Sequence, residues 1–243
     1  MPDHKYTPRL IESRTSEAWS EAAQIPEPSS PMPWRADDPW YVSPHHTLVD
    51  LHSDDIETKI AIVESRFCGR IFDQARVLAS TANPHHQESG FALLTLATPY
   101  FEAINEFLTG QDSTNGSRRF FRAGFRAVFT GLVKDLQSQG APDPDSLVDV
   151  IANAVYDEIR CGLFHNATAR KRVRLAWGMR ERALAIQLGG SPLAVEWIMV
   201  QPAAFAQSIE NHFRAYLNEL RASDSDSPSR RLFEATFDRR LKR

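Results

Sequence analysis

The stretch DPDSLVDVIANAVYDEIRCGLFH, from Asp143 to His165, is the most informative part of the sequence. It begins with a proline at its second position, and proline is tolerated in the first turn of a helix. Steps of four and three residues then connect the positions of one seam: Leu147, Ile151, Ala154, Glu158, Cys161 and His165. This spacing predicts a helix that packs against another helix and whose seam turns polar at its C-terminal end.

Apolar residues at helical spacing predict further helices on both sides of this one. They cover about 87–108, about 117–139, a segment from Ser53 (its expected N-cap) to about 78, and a long segment that opens at Pro202. Apolar residues at every second position predict two strands, 173–177 and 184–188, that form a β-hairpin. A third strand is predicted over 194–200. We therefore expect a mainly α fold, a helical bundle with a small antiparallel β-hairpin or sheet appended after the motif helix.

The composition excludes several classes of protein. With 243 residues, a net charge of -3 and 2 cysteines, the chain is neither a globally basic nucleic-acid binder nor a disulfide scaffold. It has no apolar run of the ~18–20 residues that cross a bilayer, and its first residues lack the apolar core of a signal peptide. We expect a cytoplasmic protein with free thiols and no membrane partner.

Proline content divides the chain into three parts. Eight of the 15 prolines lie in residues 1–46, which we interpret as an N-terminal arm. The helical domain is expected over 47–222, with a small β insert over about 171–200. A linker and a basic C-terminal helix are expected over 223–243.

Charge is distributed unevenly around the motif helix. Residues 141–159 hold five acidic residues and no basic one, whereas residues 160–182 hold seven basic residues and one acid. Such local asymmetry is more informative than the net charge. It is compatible with RNA contact along one edge, or with two ordinary solvated faces. Four arginines over 117–139, Arg118, Arg119, Arg122 and Arg126, are further candidates for phosphate contacts.

The residues from Arg160 to His165, preceded by Tyr156-Asp157-Glu158-Ile159, resemble the Arg-x4–6-His motif of HEPN domains. These are helical domains of prokaryotic toxins, defence systems and RNA-processing factors. The resemblance extends loosely over residues 88–220, in which 96–102 looks like an earlier helix of the family and 120–125 like the next. Many members are metal-independent endoribonucleases whose arginine and histidine converge at a dimer interface.

The resemblance implies an RNA endonuclease whose catalytic residues are Arg160 and His165. It also implies a homodimer formed through the 143–165 helix and a toxin or anti-phage defence role, with an antitoxin or another defence protein as a partner. It implies no cofactor and no metal. Supporting or orienting roles are expected for Tyr156, Asp157, Glu158 and Asn166, and RNA phosphate contacts for Arg170, Lys171, Arg172 and Arg174.

The chemistry of this pair suits RNA cleavage. The ribose 2′-hydroxyl is a nucleophile built into RNA, so the reaction needs a proton acceptor or donor and a cation. Histidine titrates near neutral pH and suits the first task. The planar fork of arginine binds phosphate oxygens in pairs and suits the second.

Several alternatives stay open at the level of sequence. Arg160 and His165 lie five residues apart, about 140° around an ideal helix and ~7.5 Å along it. They would meet through a long arginine side chain, through a distortion near Gly162, or across a two-fold dimer. A HEPN-like chain that has lost catalysis would instead be a dimerisation module that binds RNA or a protein partner. In a purely structural alternative, His165 would be a seam histidine hydrogen-bonded to Glu158, and Arg160 would form a salt bridge with Asp157 or Glu158.

Two other functional interpretations, a thiol hydrolase and a metal site, have weaker support in the sequence. Cys161 and His165 lie four residues apart, as in a thiol hydrolase, but a mid-helix thiol has no free backbone amides nearby for an oxyanion. The pairs His45-His46 and His85-His86 lack further ligands at zinc-like spacing and are expected in exposed loops.

Overall fold

Helices make up most of the structure, a computed structural model that describes residues 41–43, 45–81, 83, 85, 87–162, 172–177, 182–190 and 194–242. The helices are α1 Ile56–Phe67, α2 Asp73–Ala79, α3 Gly90–Ala97, α4 Tyr100–Thr109, α5 Ser117–Val128, α6 Leu132–Ser138, α7 Pro144–Val155, α8 Pro202–Ala222 and α9 Pro228–Leu241. Two π-helical segments interrupt this pattern: a first π-turn at Cys68–Phe72, between α1 and α2, and a second π-turn at Tyr156–Cys161, directly after α7. The mainly α fold with a small sheet is confirmed.

No helix among the described residues is both long enough and apolar enough to cross a bilayer.

Two of the expected helices are broken in the middle. The helix expected over 87–108 is divided at Thr98-Pro99, where the proline cannot donate a backbone hydrogen bond. The helix expected over 117–139 is divided at residues 129–131, where Phe129 leaves the helical conformation. The N-cap of α1 is Asp55, whose carboxylate accepts the Thr58 N–H at 2.8 Å, so the prediction of Ser53 was wrong by two residues.

The buried face of α7 and the second π-turn shares only Ile151 and Ala154 with the predicted seam. Its members have little or no exposed surface: Val148, Ile151, Ala152, Ala154, Val155 and Ile159. Leu147, Glu158 and Cys161 are half-exposed. A strict heptad repeat drifts around a straight helix, and the π-turn adds a further shift of phase. The buried face contacts α5, α6 and β5 of the same chain.

The strands form two small sheets. In the first, β1 (Tyr41–Ser43) pairs antiparallel with β2 (His46–Thr47). In the second, the strands β3 (Val173–Leu175), β4 (Leu184–Gly189) and β5 (Ala194–Val200) have the order β3-β5-β4. β5 is parallel to β3 and antiparallel to β4. The predicted hairpin between 173–177 and 184–188 is therefore wrong, because alternation identifies a strand but not its partner.

A close approach of two helices organises the aromatic core. The Phe101 ring of α4 lies 4.9 Å from that of Phe121 and 5.5 Å from that of Phe125, both on α5. A Cβ on Gly124 of α5 would lie 1.9 Å from the Phe101 carbonyl oxygen. The opposing atom belongs to backbone and has little room to move. Only glycine therefore fits where α5 crosses α4.

The C-terminal helix packs against the same central helix. Phe233 and Phe237 of α9 are fully buried, and the Phe233 ring stacks 5.5 Å from Phe107 of α4. Arg239 of α9 donates to the carbonyl oxygen of Gln111 at 2.9 Å, just beyond the C-terminus of α4. The basic residues at this end of the chain are thus part of the packed structure.

Gly124→Ala tests the crossing of α4 and α5. We expect this substitution to lower the free energy of unfolding by about 3 kcal/mol or more, because the new methyl group overlaps backbone. The matched control is Gly131→Ala, since Gly131 has a helical φ of -73° and no neighbouring atom within 4 Å of the added Cβ. The control should change stability by less than about 1 kcal/mol. Equal effects of the two substitutions in urea unfolding would contradict the proposed crossing.

Candidate functional site

Arg160 lies in the second π-turn and contacts the start of α4. Its Nε donates to Glu102 Oε1 at 3.2 Å, and this is its only hydrogen bond within the described residues. The side chain of Arg160 is 32% exposed and that of Glu102 is 16% exposed. The guanidinium is therefore oriented by a carboxylate while part of it stays accessible.

Tyr156 and Asp157 are turned towards α5. The Tyr156 hydroxyl lies 2.9 Å from Ser117 Oγ, and the Arg118 guanidinium lies 4.7 Å from the Tyr156 ring. The Asp157 carboxylate accepts from Arg118 at 2.8 Å. Both residues therefore join the second π-turn to α5, and within the described residues neither forms a hydrogen bond or ion pair with Arg160.

Glu158 connects the motif helix to the sheet. Its Oε2 accepts the backbone N–H groups of Arg172 at 3.0 Å and Val173 at 2.9 Å. These are the first described residues after 163–171. The carboxylate expected to orient a histidine thus fixes the start of β3.

Replacing Glu158 tests this structural role. We expect Glu158→Ala to lower the free energy of unfolding by about 1–3 kcal/mol, because two backbone donors lose a charged acceptor. Asp157→Ala is the control: it removes an exposed ion pair, which is worth less than about 1 kcal/mol. A smaller effect at Glu158 than at Asp157 in urea unfolding would contradict the assignment.

Several predicted site residues lie outside the described residues: His165, Asn166, Arg170 and Lys171. Arg172 and Arg174 are described and exposed. Of the predicted catalytic and orienting residues the structure describes Arg160, Tyr156, Asp157 and Glu158, and the last three are engaged with other elements.

The acidic residues of α7 are balanced by arginines of α5. Arg126 pairs with Asp149 at 2.8 Å and with Asp145 at 3.0 Å, Arg122 lies 3.7 Å from Asp149, and Arg118 pairs with Asp157. The four-residue spacing of arginines on one helix and acids on the other was the signal in the sequence. Arg118, Arg122 and Arg126 are thus used within the chain, which disfavours the prediction that they contact phosphates. Arg119 is exposed and lies 5.3 Å from the Phe120 ring, and its contact with phosphate stays a prediction.

Arg160 also borders a cavity of about 370 Å³, which we call the arginine cavity. Four arginines line it: Arg66 of α1, Arg70 of the first π-turn, Arg160 of the second π-turn and Arg240 of α9. Two glutamates of α4, Glu102 and Glu106, are its acidic residues. The remaining lining is mainly apolar and comes from Val63, Phe67, Ile71, Pro99, Ala103, Phe107, Ser113 and Leu241.

Glu106 is the more tightly held of the two glutamates. Glu106 is 4% exposed and accepts three hydrogen bonds. Two come from the guanidinium of Arg240, of which the Nε bond is 2.6 Å long, and the third comes from the Ser113 N–H at 2.9 Å. Burial alone would raise the pKa of Glu106, but the hydrogen bonds from Arg240 and Ser113 lower it below its ordinary value. Glu106 therefore stays ionised and holds Arg240 against α4.

Arg66 and Arg70 have no carboxylate partner among the described residues. Arg70 donates to the carbonyl oxygen of Val42 at 3.0 Å. Burial, with the charge of Arg70 in addition, lowers the pKa of Arg66. The partly buried charge of Arg66 thus lies near the exposed charge of Arg70, which costs free energy unless an anion is nearby.

Both π-turns of the described chain contribute an arginine to this cavity: Arg70 from the first and Arg160 from the second. Such segments are rare and occur frequently at functional sites. The sequence predicted Arg160 from its motif but gave no signal for Arg66, Arg70 or Glu102, since these meet only through the packing of α1 against α4.

Other candidate groups do not assemble into a site within the described chain. There is no group of three or more His, Cys, Asp or Glu side chains arranged to hold a metal ion in those residues. His45 and His85 are exposed, and His46 Nδ1 lies 2.7 Å from Ser43 Oγ. Cys161 is a half-buried free thiol.

No protein-family model matches the sequence, and no curated protein or solved structure matches the chain.

Acid titration tests the ion pair at Glu106. Because its folded pKa is lowered, the ionised carboxylate stabilises the fold above its ordinary value of 4.5, and this contribution is lost as the pH falls below it. We expect wild type to exceed Glu106→Gln in free energy of unfolding at pH 7, and the difference to shrink as the pH is lowered towards 3. A difference that stays constant from pH 7 to pH 3 would contradict the lowered pKa.

Proposed function

We propose that this chain is a metal-independent RNA endonuclease of the HEPN type, in which Arg160 and His165 act on the RNA backbone. The observation that carries the proposal is the position of Arg160 at the edge of the arginine cavity. The four arginines and two glutamates there give a formal charge of +2. RNA is a polyanion, and a concave positive surface raises its local concentration.

In the proposed reaction the ribose 2′-oxygen attacks the adjacent phosphorus while the bond to the 5′-oxygen breaks. His165 takes the proton of the 2′-hydroxyl or supplies one to the leaving oxygen. Arg160 binds the phosphate oxygens on which charge builds. Glu102 uses only Nε of Arg160, which leaves the two terminal nitrogens for the phosphate. The products are a 2′,3′-cyclic phosphate end and a 5′-hydroxyl end.

Chain length permits the two residues to share one site. His165 is three positions after Gly162, the last described residue of the motif helix, and an extended chain spans at most about 11 Å over three positions. The second π-turn, which ends one residue beyond Arg160, is also the kind of distortion that changes which side chains share a face.

We extend the proposal to a homodimer formed through the 143–165 helix, in a cytoplasmic toxin or anti-phage system with an antitoxin or another defence protein. The apolar face of α7 is covered by the same chain. A second copy would therefore use the half-exposed side of this helix, near Arg160.

Variants of the proposed pair provide the test. In EDTA, we expect the wild-type chain to cut single-stranded RNA and to leave 2′,3′-cyclic phosphate ends, detected by mass spectrometry. His165→Ala and Arg160→Ala should each lower the cleavage rate by about 100-fold or more. His45→Ala, in an exposed loop, and Arg221→Ala, which pairs with Glu64 at 2.6 Å, are controls that should retain the rate. Full cleavage by His165→Ala would exclude the proposed mechanism.

Mixing the two inactive variants distinguishes a one-chain site from a two-chain site. If Arg160 of one protomer acts with His165 of its partner, co-refolded His165→Ala and Arg160→Ala chains should regain part of the cleavage rate. If both residues act within one chain, the mixture should stay as inactive as either variant.

A second candidate function is a non-catalytic HEPN-like module that binds RNA or a protein partner. The ion pair between Arg160 and Glu102 favours it, because a paired cation has less charge to offer a phosphate. The partner is Glu102 and not Asp157 or Glu158, which bind Arg118 and the β3 backbone. This alternative expects RNA binding without cleavage, and an affinity that His165→Ala leaves unchanged.

A further inference from the structure

We propose that the arginine cavity binds a small phosphomonoester with an apolar body, as a site in its own right. The inference goes beyond RNA cleavage and does not depend on it. Its principal residues, Arg66 and Arg70, lie outside the proposed catalytic pair.

The charge of the cavity favours a dianion. Glu102 holds Arg160 and Glu106 holds Arg240, so these two cations are already balanced. Arg66 and Arg70 have no carboxylate partner within the described chain and leave about two positive charges. A phosphomonoester carries about -1.5 to -2 charges at pH 7, whereas a carboxylate carries one. A phosphate monoester therefore matches the unbalanced charge better.

The geometry of the arginines also suits phosphate. Arg66 is on the last turn of α1 and Arg70 on the first π-turn, four residues later along the same continuous helix. The hydrogen bond from Arg70 to the Val42 carbonyl oxygen uses one of its terminal nitrogens. The remaining donors of the two guanidinium groups form no hydrogen bond within the described residues and are free to bind phosphate oxygens in pairs.

The rest of the lining favours an apolar body. Between the charged side chains the cavity is lined by aliphatic and aromatic groups, among them Val63, Phe67, Phe107 and Leu241. Phe107 is nearly buried, and Phe67 is held by ring contacts at 4.9 Å with Phe213 and 5.7 Å with Tyr100. A cavity of about 370 Å³ lies within the usual size range of small-molecule sites. Inorganic phosphate alone would leave this apolar surface in water.

Titration calorimetry with 1-naphthyl phosphate, at fixed low salt, tests the proposal on the full chain. We expect saturable binding of one molecule per chain. Binding of inorganic phosphate, which lacks the apolar body, and of 1-naphthol, which lacks the charge, should each be at least tenfold weaker. Inorganic phosphate that binds as tightly as the ester would overturn the role of the apolar lining, and 1-naphthol that does so would overturn the role of the arginines.

Two variants of different kinds locate the site. Arg66→Ala with Arg70→Ala should weaken binding of 1-naphthyl phosphate at least tenfold. Ala103→Phe fills the cavity from α4, keeps all four arginines, and should abolish binding. Arg231→Ala, an exposed arginine of α9, is the matched control and should bind as wild type does. Thermal unfolding of each variant shows whether it has folded. If one of the two cavity variants has not, the binding measured with the other tests the location of the site.

Failure of this inference is distinguishable from failure of RNA cleavage. Binding of 1-naphthyl phosphate is measured on the wild-type chain and on the cavity variants, none of which alters Arg160 or His165. If the wild-type chain binds 1-naphthyl phosphate but never cuts RNA, the result supports the phosphomonoester site and not the proposed RNA cleavage. Absence of saturable binding by wild type, or unchanged binding by both cavity variants, overturns it whatever the chain does to RNA.

Discussion

Two glutamates one helical turn apart on α4 determine how the elements around the arginine cavity meet. Glu102 accepts from Arg160 in the second π-turn, and Glu106 accepts from Arg240 in α9. Removing Arg240 would leave the buried carboxylate of Glu106 unpaired, which costs several kcal/mol, about 3–5, so this pair fixes α9 against α4. The pair of Glu102 with Arg160 is partly exposed and therefore weaker, and it orients the second π-turn on α4. On its apolar side α4 is fixed as well, because its backbone at Phe101 meets α5 at Gly124. The position of Arg160 follows from both constraints.

Arginines with an acidic partner are candidates for a structural role in this chain, and arginines without one are candidates for binding a ligand. On α5, Arg118, Arg122 and Arg126 are matched by aspartates of α7 and the second π-turn and hold these elements in register. The arginines of the cavity are only half matched. Of the two without a carboxylate partner among the described residues, Arg70 is exposed and Arg66 is partly buried, where desolvation makes charge expensive. An arrangement that costs stability in the free protein is reasonable if an anion binds there. Glu158 has a structural role as well, because its carboxylate accepts backbone N–H groups at the start of β3.

Local pattern predicted the elements well and their partners poorly. The apolar spacing predicted α5, α7 and α8, and the arginine motif predicted a residue that does border a cavity. Alternation predicted all three strands of the second sheet but paired β3 with β4, since side-chain period carries no information on neighbours. The breaks at residues 98–99 and 129–131 lie inside continuous apolar patterns. The cavity depends on contacts such as Arg160 with Glu102, 58 residues apart, and Arg240 with Glu106, 134 apart, which no local pattern encodes.

The central claim is that Arg160 and His165 cut RNA by using its own 2′-hydroxyl. The most direct measurement compares one oligoribonucleotide with a copy that carries 2′-O-methyl groups throughout, in EDTA and at equal protein concentration. We expect the unmodified RNA to be cut, and the methylated copy to be bound with similar affinity but left intact, because its 2′-oxygen has no proton to lose and cannot form the cyclic product. Cleavage of the methylated copy at the same rate would show that water is the nucleophile and would contradict the account.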